Sequence, residues 1–119
     1  MRKLLPAFLA LLAASLLGAP PARAHHGWSA YDAATVIKVE APVAVVRYQN
    51  PHGEIEIDYE GKRWVVVLAP PSRMQARGLE KEALTVGATV TVEAYPRRDG
   101  EPEMRAERIT LNGKTVELR

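Results

Sequence analysis

Glu54-Ile55-Glu56-Ile57-Asp58-Tyr59-Glu60-Gly61-Lys62-Arg63-Trp64-Val65-Val66-Val67-Leu68 is the stretch from which the fold class is read. From Glu54 to Tyr59 acidic and apolar residues alternate, and a period of two places successive side chains on opposite faces of a strand. One face is therefore wet and the other buried. Glu60-Gly61 is a tight-turn signal. The run from Trp64 to Leu68 is unbroken and rich in valine, which suits a strand covered on both faces. The two strands are expected to pair as a hairpin.

Downstream, Ala69-Pro70-Pro71 ends the sheet. Ser72 to Gly78 then offers a capping serine, good helix formers and a terminating glycine, so one or two helical turns are predicted, with a further polar turn over Leu79 to Leu84. Thr89 to Tyr95 and Met104 to Leu111 alternate as strands. Asn112-Gly113 marks a type I′ hairpin into Thr115 to Leu118. Upstream, Ile37, Val39, Ala41, Val43 and Val45 alternate with their neighbours through a segment, Thr35 to Tyr48, that is long for one strand. Pro42 cannot donate to a ladder, so a bend, bulge or edge is predicted there. The order matches a small OB-like Greek-key β-barrel with one short helix between its third and fourth strands. A small antiparallel sandwich is the alternative.

The N-terminal segment is read apart from the fold. Arg2 and Lys3 precede an apolar run, Leu4 to Leu17, of about 14 residues, shorter than the ~20 a bilayer span requires. Gly18, Pro20 and Pro21 break it, and Ala22 and Ala24 complete an A-x-A site, so residues 1–24 are expected to be a cleaved signal peptide. The mature chain would carry an arm over 25–34 and a barrel domain over 35–119. It would be periplasmic or secreted, with no stable membrane span after cleavage.

Charge changes with that cut. The chain holds 16 basic and 14 acidic side chains. Arg2, Lys3 and Arg23 leave with the peptide, so 13 basic face 14 acidic groups, and nothing electrostatic favours nucleic acid as a partner. Arg97, Arg98, Arg105 and Arg108 are interleaved with Glu93, Asp99, Glu101, Glu103 and Glu107, which reads as a solvated mixed-charge surface. Cysteine is absent, which excludes disulfides, thiol redox chemistry and thiolate metal ligands.

The three histidines are His25, His26 and His52. Cleavage after Ala24 would place a free amine on His25. That amine, the His25 ring and the His52 ring make a three-nitrogen T-shaped set, and His26 offers a second chelate through its backbone nitrogen and ring. All-nitrogen tetragonal ligation suits copper(II) first and zinc second. Tyr31, Asp32, Tyr48 and Glu54 are near enough along the chain to support such ligands. Met74 and Met104 read as core fillers. Trp28 reads as a pin for the arm, and Trp64 as core. Ser29, Asp32 and the histidines lack a nucleophile elbow or oxyanion-hole motif, so no catalytic set is read and turnover is not expected.

His25-His26-Gly27-Trp28, Tyr31-Asp32, Asn50-Pro51-His52, the strand around Trp64, Arg77-Gly78-Leu79 and Gly87-x-x-Val90-x-Val92 together resemble a family of small exported bacterial proteins of unknown function. Its members carry a double histidine after the signal peptide and an Asn-Pro-His in the first hairpin. The resemblance spans the mature chain and implies a periplasmic OB-like barrel with no assigned activity. Gly53 departs from the pattern, since relatives carry a larger residue there. The expected function is metal binding, with copper handling foremost. The alternative is a metal-free module that binds an envelope protein or a small ligand.

Overall fold

The computed structural model describes residues 27–119. The cleavage site, His25 and His26 lie outside the described residues. Seven strands form one sheet: β1 (Ile37–Pro42), β2 (Val45–Arg47), β3 (Glu54–Tyr59), β4 (Lys62–Val67), β5 (Thr89–Pro96), β6 (Glu103–Leu111) and β7 (Lys114–Glu117). Among the described residues one short α-helix, α1 (Pro71–Ala76), follows β4, with 3-10 turns at Trp28–Ala30 and Lys81–Ala83. Among the described residues no helix is long and apolar enough to cross a membrane.

The β3–β4 hairpin forms as its sequence requires. Ile55 pairs with Val66 and Ile57 with Trp64, so the apolar members share the inner face. Glu60 and Gly61 both have positive φ, 49° and 75°, as do Asn112 and Gly113 at 51° and 74°. Two consecutive positive φ values match the twist of a tight hairpin.

The predicted long first strand is two strands, β1 and β2, separated at Pro42 to Ala44. Here the backbone changes partners: Val43 N–H donates to Ala88 O at 2.9 Å, and Ala44 N–H donates to Glu56 O at 2.8 Å. The sheet order is β1-β5-β6-β4-β3-β2, with β7 added beside β6. Its two ends are thus the two halves of one bent strand, and the sheet curls into a partly open barrel. All pairs are antiparallel except β4 with β6, where Val66 lies beside Met104. One continuous curled sheet replaces the two packed sheets of the sandwich alternative.

The core is the inner face of that curl. Ile55, Ile57, Val66, Leu68, Val92, Met104 and Ile109 are fully buried, and Met74 of α1 plugs one end. Helix α1 begins earlier than the sequence predicts. Pro70 occupies the N-cap, Pro71 the first turn, and Ser72 makes no capping bond. Proline presets a helical φ and has no N–H to satisfy, so the Pro70-Pro71 pair starts the helix without a side-chain cap. Gly78, at φ 88°, stops it.

Candidate functional site

Residues at one level of the barrel can be read from the ladders. Arg47, Glu54, Val67, Arg105 and Tyr95 are consecutive partners across β2, β3, β4, β6 and β5. Their inner neighbours Ile55, Val66 and Met104 face the core, so this row faces outward. His52 lies two residues before Glu54 and is half-buried. The intervening Gly53 is fixed by two backbone bonds, its N–H to Ala69 O and its carbonyl from Leu68 N–H, both 2.8 Å. A Cβ on Gly53 would collide with Cε of Met74. A side chain at Gly53 has no room, because α1 packs its buried methionine directly against this backbone.

The N-terminal arm lies against the same row. Tyr31 bridges to Arg97, Asp32 N–H donates to Pro96 O at 2.8 Å, and Arg98 N–H donates to Ala30 O at 3.0 Å. Trp28 meets Tyr95 edge-on at 6.1 Å. The guanidinium carbons of Arg105 and Arg119 lie 4.4 and 4.6 Å from the Trp28 ring centre. Trp28 therefore pins the arm, as the sequence suggested, through cation–π contacts as well as apolar burial. Followed from Tyr31 back to Trp28, the arm passes from the level of Arg97 to that of Tyr95 and Arg105. Arg119 follows Leu118, whose N–H donates to Glu107 O two residues further along β6. The direction of travel is toward the level of Gly53 and His52.

The four side chains nominated as histidine supports are engaged elsewhere. Tyr31 is buried and donates to Glu103 Oε2 at 2.7 Å. Burial first, and then that bond, raise its phenol well above the usual range. Asp32 accepts from Ala34 N–H and the Thr35 hydroxyl, which lowers its pKa. Tyr48 donates to Leu79 O at 2.7 Å, and Glu54 is paired with Arg47 at 2.9 Å. Among the described residues no group of three or more His, Asp or Glu side chains is gathered to hold a metal, and His52 is the one histidine among them. Met74 and Met104 are fully buried core residues. Trp64 is half-buried toward the turn of the β3–β4 hairpin, edge-on to Tyr59 at 5.7 Å.

The arginine-rich strands carry mixed charge. Arg97 pairs with Asp99 and Glu103, and Arg108 with Glu93 and Glu117. Arg105 differs from these, making no ion pair with any described carboxylate. The alternation Met104 in, Arg105 out foretold its face. No local signal foretold that Arg119 would share its tryptophan.

The described residues define a small all-β class: a curled sheet, one short helix and a histidine in the loop that leads into β3. The profile of the Family of unknown function (DUF6152) matches residues 13–106, and the chain belongs to that family. Comparison with curated proteins gives no match.

Proposed function

We propose that this is an exported, periplasmic metal-binding protein that handles copper through the amine and ring of a processed His25 together with the ring of His52. His26 is a further nitrogen donor. Zinc is the second candidate. One observation carries the reading: the arm is anchored at Trp28 on β5 and β6 and runs toward the level of His52. Two strand spacings, about 10 Å, separate Arg105 from Glu54 across the ladder. Gly27 is the one residue between Trp28 and His26, and each residue of extended chain spans up to ~3.5 Å. A short arm of this length can deliver a terminal imidazole to the mouth of the β3 hairpin. Imidazole and amine nitrogens suit copper(II), which heads the divalent affinity series.

The chain's own residues would bind and orient the ion. Gly53, held through its N–H and carbonyl by Ala69 and Leu68 just after β4, fixes the backbone from which His52 projects, and Trp28 fixes the arm. Copper titration followed by EPR, on protein beginning at His25 and on protein with one added N-terminal residue, tests the proposal. The expected result is nitrogen coordination and tight binding in the first and marked weakening in the second, with similar loss in His52→Ala. Equal weak binding by both would sink the amine chelate. A metal-free interaction module is the rival reading; it predicts that an envelope partner is retained by a His25→Ala, His52→Ala variant.

A further inference from the structure

Arg105 is unusual among the arginines of this sheet. Its guanidinium lies over Trp28, and none of its N–H groups donates to an acceptor among the described residues; its Nε is buried. Nearby stand two more cations. Arg119 shares the Trp28 ring, and Arg73 on α1 donates to Leu118 O at 3.1 Å. Both are close enough that, after burial, their charges further depress the Arg105 pKa. Among the described residues the one ion pair these three make is that of Arg119 with Glu107 Oε2, at 3.6 Å. Three guanidiniums thus face one carboxylate, a local surplus of two positive charges.

Such an arrangement costs free energy unless something compensates it. A half-buried charge without a partner loses hydration, and like charges repel more strongly where water is partly excluded. An aromatic ring beneath a guanidinium attracts it without using its N–H groups, which stay in the guanidinium's own plane as a fork of hydrogen-bond donors. Tetrahedral oxyanions are the partners that such forks match.

We infer that Arg105, held over Trp28 and backed by Arg73 and Arg119, forms a binding site for a phosphate-type dianion on the outer face of β6. Arg105 supplies the hydrogen-bonding edge, and the other two supply field. The dianion balances the surplus charge, which a monocarboxylate would only halve. The site is independent of the metal reading and needs none of the histidines.

The test is an NMR titration of the full mature chain, without added metal, using inorganic phosphate at ionic strength held constant with chloride. The Arg105 side-chain N–H and the Trp28 indole N–H are expected to shift and saturate while the Trp64 indole stays fixed. Arg105→Gln should weaken binding by at least about tenfold, the size expected for loss of charged hydrogen bonds. Arg119→Gln, at an exposed position that leaves the fold intact, should weaken it less. Sulfate should substitute for phosphate and acetate should not. Absence of saturation, an unchanged response in both variants, or an equal response to acetate would overturn the site.

Discussion

Gly53 and Tyr31 show how single residues are fixed by what surrounds them. Gly53 is bonded through its N–H and carbonyl to Ala69 and Leu68 just after β4, and the constraint on it is the buried Met74 Cε. Met74 is fully buried and cannot swing into solvent. Gly53→Ala is therefore expected to destabilise by about 1–3 kcal/mol through overpacking. Adding Met74→Leu, which removes the offending methyl, should restore most of it; urea unfolding of both variants measures this. Tyr31 carries a pH signature. Folding raises its phenol pKa, so its contribution is complete below the unfolded value of about 10 and is lost as pH climbs beyond it. Stability should fall above that pH, and Tyr31→Phe should flatten the fall. Burial raises Tyr48 as well, so some slope should persist in urea midpoints recorded across the alkaline range. Gly53 was legible from the sequence as a departure, but the lack of room for a side chain there was not, because Met74 comes from a later element.

Elements here are stabilised by how they are joined. The N-terminal arm has one 3-10 turn and one isolated bridge, and it is attached by the buried Tyr31, by Trp28 and by a few backbone bonds. Two cation–π contacts of about 0.5–2 kcal/mol each hold the ring. Trp28→Ala should release the arm without unfolding the barrel. Hydrogen exchange should then speed up at the Asp32 and Arg98 amides, which are bonded across the arm, while the Ile55 and Val66 amides keep their protection. If those core amides lose protection equally, the arm is part of the global folding unit. The hairpins and α1 were legible because their signals are local. Period-two alternation, Glu60-Gly61 and Asn112-Gly113 act within a few residues. The start of α1 was misplaced because Pro70-Pro71 can either end a strand or begin a helix, and the sequence reading used the pair only for the former.

For the whole molecule, closure depends on two features far apart in the chain: the partner change at Pro42 to Ala44 and the parallel contact of β4 with β6. The C-terminal strand then seals the end beneath α1. Leu118 is 1% exposed, and its N–H donates to Glu107 O at 2.8 Å, while Arg73 and Arg77 grip the backbone carbonyls around it. Leu118→Ala should cost about 2–5 kcal/mol as a buried truncation, lowering the melting temperature by about 4–8 °C per kcal/mol. Calorimetry would check this, and a drop of less than a degree would mean the C-terminal strand is peripheral. By itself the sequence determined the all-β class, the strands and their turns, the position of the helix and the chemistry available in its side chains, because each is set by near neighbours along the chain. Only the tertiary structure decided that one bent strand serves both ends of the sheet, that the arm lies along β5 and β6, and that Arg105, Arg119 and Arg73 gather at Trp28. Those are contacts between distant segments, and they form only when the hydrophobic face shared by all the strands curls on itself to leave water.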